Sequence, residues 1–563
     1  MRRTFQTAIL LLAITLVATS ALAGGNSFDM PKDMVKLLPV KADGVLGISS
    51  LNKLDKVWQD VLPEGSTEEE VSLMPIIKDA LLGFEDMIDP DEPLLITTHI
   101  LPSMDAQGIL ITAIFPLKDK NQDFSTIEGI ENFQIVHQGD YVGVSTDPNW
   151  KPASEKPVWA KELRDGLVTG YIDLASIIDT YGFLIEMGVG AMQSQAQNGT
   201  DLAPAASVEE TMATIKMIRA FLESANSMEF VLAEDGKSIQ KDFIFSTKPD
   251  SPLAPGPQPS FDDALKLTRF LPGGESLLAV SAIDQSKQME IYADYYLASI
   301  HSKMANMDTE TGERYALWYA KYLNTMEISF LPNALAMRVE KDNSSFQYLL
   351  QSSYAKEDFE RLTLLANGLN DIGSGVNLIR IDSEKVDDLE IFGWNVDWQK
   401  EELEGLFDTP SGVTPTEPLM TSTVMKMLRF VPGNLYMAQV KDYILICGGT
   451  NNDMMKQLAR NAAKGKGNVD PRVKKALKNA GPGLQSVTTG DLNALMQIVT
   501  EVMEEMEEQQ ADNADPKPTF NWPINQPVPF LQSLEIDGAE YLMHFEMEKA
   551  VIRELIQALM EDK

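Results

Sequence analysis

Catalytic and metal sites are most often built from cysteine, histidine and paired carboxylates, and this chain offers few of them in a usable arrangement. Cys447 is the only cysteine among 563 residues. It lies in KDYILICGGT, residues 441–450, where period-two alternation places Tyr443, Leu445 and Cys447 on one strand face. A nucleophilic thiol needs a base or a positive site to lower its pKa, and no histidine lies near Cys447 in sequence. It therefore reads as a small apolar strand residue. The four histidines, His99, His137, His301 and His544, form no His-Glu-x-x-His helix and no Cys/His zinc spacing. No serine elbow, Walker loop or dinucleotide fingerprint occurs; Gly465-Lys466-Gly467 and Gly373-Ser374-Gly375 read as turns. The acidic runs at 85–93 and 504–515 lack the EF-hand alternation of oxygen ligands around a central glycine. No catalytic residue, metal or cofactor is expected, and the chain reads as a non-enzyme. The alternative is an enzyme whose carboxylate or serine site is gathered from distant positions, since such a site leaves no local motif.

Two groups of residues stand out as surfaces for binding. The segment 456–478 carries eight basic residues, Lys456, Arg460, Lys464, Lys466, Arg472, Lys474, Lys475 and Lys478, against one acid, Asp470. Such a patch either docks an anionic partner or folds back on the protein's own acidic surface. Two aromatic helices, at 289–304 and 313–323, present Tyr292 and Tyr296, and Tyr315, Trp318, Tyr319 and Tyr322, at helical spacing. Aromatic walls with polar tips suit an amphipathic ligand or a partner surface, and they also make an ordinary helix–helix contact.

The elements that would position these residues follow a leader. Arg2 and Arg3 precede an uncharged apolar run that ends on Ala21-Leu22-Ala23, the pattern of a cleavable signal peptide over 1–23. Export to the periplasm or beyond the cell is expected, by the general secretory route or, given Arg2-Arg3, the twin-arginine route. No cysteine follows the cleavage site, so no lipid anchor is expected. Nothing later reaches the roughly 18 apolar residues of a membrane span, so no integral span is expected. The charge balance is 47 basic against 83 acidic residues, a formal net charge of −36 that becomes −38 once Arg2 and Arg3 are removed. That field repels nucleic acid and anionic head groups.

STKPDSPLAPGPQPS, 246–260, carries five prolines and reads as a break between domains. The same order of elements precedes and follows it. LLPVKADGVLGISSLNKLDKVW at 37–58 matches RFLPGGESLLAVSAIDQSKQME at 269–290, and the two-strand segment 130–147 matches 432–449 with Cys447 in the place of Ser145. A third pair, 160–178 and 474–498, combines a short helix, a glycine break, a strand and a helix opening at Asp-Leu. Ser238 onward follows Asp235-Gly236, a hairpin signal; Ser207-x-x-Glu210 reads as a capping box, and Asp470-Pro471 to Gly481 as a short helix. A longer amphipathic helix is expected to open at Asp491. The resulting expectation is α+β: two tandem related domains, 24–248 and 261–563, joined by a Pro-rich linker at 249–260, each a mainly antiparallel sheet with helices packed on it.

Pro39-Val40-Lys41-Ala42-Asp43, Gly139-Asp140-Tyr141 and Tyr171-Ile172-Asp173-Leu174 resemble the strand, hairpin and strand-to-helix motifs of a loosely defined group of exported bacterial proteins built from domains of unknown function. In the second half Lys441 replaces the glycine, and Thr489-Gly490-Asp491-Leu492 the tyrosine step. The resemblance implies a fold and an export route and assigns no activity. The function expected is a non-enzymatic binding or interaction role in the bacterial cell envelope, with an unknown protein or an amphipathic small molecule as partner. A carrier of a hydrophobic or amphipathic ligand in a pocket between sheet and helices is the nearest alternative. Cys447→Ala is expected to leave the exported protein folded and its function intact; a folded but inactive variant would contradict the strand reading of the thiol.

Overall fold

Alternating apolar and polar residues build eighteen antiparallel strands among the described residues, and these join into one continuous sheet. The computed structural model describes residues 28–62, 87–101, 108–122, 124, 130–197, 206–304, 309–323, 325–339, 345–368, 370, 376–398, 433–449, 452–465, 467–479, 481–494 and 527–561. The strands of the first part are β1 (Gly44–Ile48), β2 (Leu94–Ile100), β3 (Ile109–Pro116), β4 (Gln134–Gln138), β5 (Tyr141–Ser145), β6 (Val168–Asp173), β7 (Ala225–Glu234) and β8 (Ser238–Thr247). Those that follow are β9 (Leu277–Ser281), β10 (Asn333–Arg338), β11 (Ser345–Gln351), β12 (Val376–Val386), β13 (Leu389–Trp398), β14 (Asn434–Val440), β15 (Tyr443–Gly448), β16 (Leu484–Asp491), β17 (Pro529–Asp537) and β18 (Glu540–Glu548).

Hydrogen-bonded pairing gives the spatial order β4-β5-β3-β2-β1-β6-β7-β8-β18-β17-β16-β9-β10-β11-β15-β14-β13-β12. Read from each outer edge toward the β8–β18 pair, the sequence of strands is the same, with β9 in the place of β1 and the β12–β13 hairpin added at one edge. Details repeat as well. Asp43 N–H donates to Thr98 O and Asp173 N–H to Asp43 O, each at 2.8 Å; Ser276 N–H donates to Met337 O and Asp491 N–H to Ser276 O, also at 2.8 Å. The β4–β5 turn holds Gly139 at φ 58°, and the β14–β15 turn holds Lys441 at φ 55°. Lysine is strained in that left-handed region, and its Nζ reaches Ala463 O at 2.8 Å. Ser145 pairs with Thr112, and Cys447 with Gln347. Cys447 is fully buried beside Leu445 and Met455, and burial pushes its thiol up to about 12.

The helices are α1 (Lys32–Val35), α2 (Leu51–Asp60), α3 (Trp159–Glu162), α4 (Leu174–Gln197), α5 (Ala206–Ser224), α6 (Phe261–Leu267), α7 (Ser286–Met304), α8 (Thr309–Leu323), α9 (Ala355–Gly368), α10 (Asp453–Lys464), α11 (Pro471–Asn479) and α12 (Lys549–Glu561). Apolar cores lie on both faces of the sheet. Leu46 and Ile48 of β1 pack with Leu51 and Val57 of α2, while Val45 turns to the opposite face with Phe28, Met34 and Trp150. In the second part Tyr436 and Leu445 pack with Met455 and Leu458 of α10, and Met437 and Ile444 pack oppositely with Phe359 of α9. The α+β class with a mainly antiparallel sheet, expected from the sequence, is borne out. Ser207 is itself helical within α5, so it does not stand before that helix as a cap. Helix α11 begins at Pro471, with Asp470 Oδ1 accepting the Arg472 N–H at 2.7 Å. The helix expected to open at Asp491 lies outside the described residues beyond Ala494.

One reading needs correction. Leu174–Ser194 within α4 is long and apolar enough to cross a membrane, at mean hydropathy 1.3, although Asp179 and Glu186 interrupt it. Those two acids end any uninterrupted apolar run, which is why none appeared in the sequence. Phe183 and Met187 on this helix are mostly exposed.

The β8–β18 seam consists of nine facing pairs, from Ser238 opposite Glu548 to Ser246 opposite Glu540, with Asp242 and His544 at the midpoint. His544 Nδ1 and Asp242 Oδ1 are 2.9 Å apart. On the same face Arg164 bridges Glu229 of β7 and Glu540 of β18, at 3.2 Å each. A further clamp comes from α12, where Lys549 binds Asp60 Oδ2 at 2.9 Å and also Glu234. Burial raises the Glu229 carboxyl to about 7, against the pull of Arg164, with the Glu540 charge adding to the rise. Between about pH 4.5 and 7 the unfolded chain therefore loses a proton that the folded one keeps, so this residue lowers stability as pH rises through that window. Glu229→Gln is expected to flatten the fall in melting temperature between pH 5 and pH 8; an unchanged slope would place the Glu229 proton elsewhere.

Candidate functional site

The seam and the start of α7 border a half-open chamber of about 230 Å³. Its position follows from three elements. Tyr541 of β18 stands opposite Phe245 of β8, their rings 6.4 Å apart between centroids. Gln288 and Tyr292, four residues apart and so on one face of α7, line the chamber with them. The third wall is the Pro-rich segment after β8. Proline has no N–H to donate, so this stretch joins neither helix nor strand, and its carbonyls need other partners. Gln288 Nε2 donates to Ala254 O at 3.2 Å, and Tyr541 donates its hydroxyl to Leu253 O at 2.9 Å. Ser224 Oγ at the end of α5 accepts the Leu253 N–H at 2.9 Å. Segment 249–260, expected to be a linker, thus forms part of the chamber. Asp284 sits at its rim before α7, where its Oδ1 accepts the Ser286 N–H at 2.8 Å.

Gln288 is 8% exposed. Its amide nitrogen faces only acceptors, Ala254 O and the Tyr541 hydroxyl at 3.1 Å among them. That fixes the amide oxygen on the other side, where Oε1 is buried with no hydrogen-bond partner among the described residues. The Gln288 oxygen is thus sealed from solvent, and the aromatic walls are what the chamber offers to the apolar part of a small molecule. On the other flank of α7, facing α5, lies an open groove of about 660 Å³ walled by Met212, Ile215, Ile291 and Leu297. The Lys216–Asp294 ion pair, at 2.5 Å, and a His301–Glu209 contact, at 2.8 Å, span it.

Of the aromatic residues singled out in the sequence, Tyr292 reaches the chamber. The side chains of Tyr296 and Tyr315 lie outside the described set. Trp318, Tyr319 and Tyr322 form their own cluster on α8, with Trp318 and Tyr322 stacked at 5.6 Å. Trp318 Nε1 donates to Leu365 O of α9 at 3.3 Å, a helix–helix contact within the chain. Four residues of the basic segment pair with carboxylates of the same chain. Lys456 pairs with Glu384 at 2.8 Å, Arg460 with Asp387 at 3.9 Å, Arg472 with Asp470 and Glu275, and Lys475 with buried Glu546 at 3.0 Å. Lys464, Lys474 and Lys478 are exposed, and Lys466 lies outside the described residues. Phe245, Gln288 and Tyr541 were missed. Their signal was an alternating strand run after Asp235-Gly236 and another after Asp537-Gly538, but nothing local says that the two runs pair.

The motif residues Asp43, Asp173 and their neighbours converge at the end of β1. Asp43, 3% exposed, binds His99 Nδ1 with one oxygen and the Ser176 hydroxyl with the other, each at 2.6 Å. Ile100 N–H also donates to it at 2.7 Å. The carboxylate stands between serine and histidine, whereas acyl transfer needs the histidine between serine and carboxylate. This arrangement ties β1, β2 and the start of α4 together. No group of three or more histidine, cysteine or carboxylate residues poised to hold a metal occurs among the described residues. No protein-family model, curated protein or solved structure matches the chain. Asp43→Ala is expected to cost at least about 2 kcal/mol, because it strands three donors in a mostly buried corner; chemical denaturation with an unchanged midpoint would contradict this.

Proposed function

We propose that this is an exported, non-enzymatic binding protein of the bacterial cell envelope, periplasmic or extracellular once its leader is removed, and that it carries a small amphipathic molecule in the chamber under α7. The observation that carries the reading is the chamber itself: aromatic walls from Phe245, Tyr292 and Tyr541, with polar groups of Gln258, Asp284 and Gln288 in the lining, where β8, β18, α7 and the Pro-rich segment meet. At about 230 Å³ it is smaller than the roughly 300–1,000 Å³ typical of drug-sized sites, so it suits a compact molecule or one end of a longer one. Export is supported by the apolar leader with Ala21-Leu22-Ala23, and by the resemblance to exported repeat proteins. We also read the chain as two copies of one α+β unit, 24–248 and 261–563. The repeated strand order, the paired hydrogen bonds at Asp43 and Ser276, and the matched turns at Gly139 and Lys441 support that reading.

Native mass spectrometry of the full chain, exported by its host and gently purified, tests the carrier role, with organic extraction of the same sample. A reproducible extra mass released by solvent is expected. A clean apo mass in independent preparations would count against a carried ligand.

A further inference from the structure

We propose that the β8–β18 seam is a twofold dimer contact enclosed within one chain, and that the partner it fits is a second copy of this chain: two copies exchange halves, the β8 of each pairing with the β18 of the other. This rests on reading the chain as two copies of one unit.

The seam has the geometry of a symmetric contact. Asp537-Gly538 turns β17 into β18 as Asp235-Gly236 turns β7 into β8, an interval of 302 positions (537 less 235). Lys441 follows Gly139, and Cys447 follows Ser145, by the same 302 (441 less 139, 447 less 145). Glu234 pairs with Ile239 across the first hairpin and Ile536 with Tyr541 across the second, so the interval runs through both strands. His544 is then the counterpart of Asp242, and these two face one another. A residue meets its own counterpart only on a twofold axis. The rest of the ladder obeys it: Ser238 faces Glu548, the counterpart of Ser246, and Ser246 faces Glu540, the counterpart of Ser238.

Charge decides which strand meets which. About the same axis, β8 against a second β8 would set Asp242 against Asp242, and β18 against a second β18 would set Glu540 against Glu548 twice. Like charges directly opposite are destabilising. The mixed ladder instead gives Asp242 the His544 ring at 2.9 Å and sets both glutamates opposite serines. A second copy therefore fits only when each β8 meets a β18, so the pair closes with two seams and leaves no inner edge open.

The connector supplies the means of exchange. Asp250, three residues after β8, holds φ 61°, in the left-handed region where a side chain is strained. That conformation keeps the turn in which Ser251 N–H donates to Lys248 O at 3.2 Å. Straightening the turn relaxes Asp250 and carries the second half away from the first, and strained connectors favour exchange. Beyond Asp250 the chain stays with the second half, because Ser251 O accepts from Lys287 and Leu253 O from Tyr541. Each chamber of the exchanged pair thus takes Phe245 from one copy and Tyr292 and Tyr541 from the other.

Light scattering on the full exported chain, refolded from denaturant at low and at high protein concentration, tests this, and dimer is expected from the concentrated sample. Two variants with one added cysteine each identify the contact. Ser246→Cys and Glu540→Cys put thiols at facing positions of β8 and β18, where Ser246 Oγ and Glu540 Oε1 lie 3.5 Å apart, and Cys447 is buried. Refolded together at high concentration and oxidised, they are expected to form a disulfide between unlike chains, which separate monomers cannot make. Asp250→Val is expected to raise the dimerisation constant about tenfold or more and Asp250→Gly to lower it, since a branched residue tolerates that backbone least and glycine most. Monomer at every concentration overturns the exchange, and so do dimers without the mixed disulfide. Should a cysteine variant fail to fold, the opposite shifts of the two Asp250 variants still decide it, and dimerisation that neither moves overturns it. The axis has its own readout: interchanging the pair, Asp242→His with His544→Asp, is expected to keep the melting temperature, whereas His544→Asp alone lowers it by about 1–2 °C. An interchange as costly as the single change removes the twofold axis and the two-copy reading with it. A neutral interchange beside a strict monomer removes the exchange alone.

Discussion

The antiparallel ladder between β8 and β18 is the contact on which the rest of the structure depends. Without it the sheet has two open inner edges, and exposed edges bind other strands indiscriminately. With it, eighteen strands form one surface, and the two sides meet about Asp242 and His544. The same ladder sets Phe245 against Tyr541 and so creates the floor of the chamber. It also brings Glu540 within reach of Arg164, and places Glu546 where Lys475 of α11 can bind it. The ion-paired face and the chamber are therefore opposite faces of one ladder.

Charge is distributed in keeping with that seam. A chain with 83 acidic and 47 basic residues has cations to spare for few places, and several stand beside it. Arg164, Lys475 and Lys549 each hold a carboxylate of β7, β18 or the end of α2. Arg472 fastens the start of α11 to Asp470 and to the buried Glu275, and the contact with Asp470 holds the guanidinium firmly charged. Much of the basic run in the sequence is thus internal wiring, which accounts for its place in an otherwise acidic protein.

Local signals were legible where the local chain decides the outcome. Asp235-Gly236 marks the turn between β7 and β8, Asp470-Pro471 marks the start of α11, and strand alternation puts Cys447 in a core. The equivalence of Ser145 and Cys447 could be read from Asp-Tyr opening both second strands, since a shared turn fixes a shared register. The chamber was legible only at Tyr292. Its other walls come from residues some three hundred positions apart, joined by a ladder whose register depends on tertiary packing. The aromatic spacing on α8 was real but served α9, because periodicity shows which residues share a face and not what that face meets. The Pro-rich stretch showed the absence of regular structure correctly, yet concealed that its carbonyls would be claimed by Gln288 and Tyr541.

The seam also imposes an order of events on a chain made from one end to the other. Residues 238–247 leave the ribosome long before 540–548, so β8 spends most of synthesis as an uncovered edge with Phe243, Ile244 and Phe245 in its length. Its partner is the last of the described strands. A nascent or incomplete chain therefore presents a sticky flank that the finished one conceals, and chaperones that hold it open would act on that flank. Completion of β18 is the step that turns an aggregation-prone intermediate into a closed surface, and the same step finishes the chamber beneath α7.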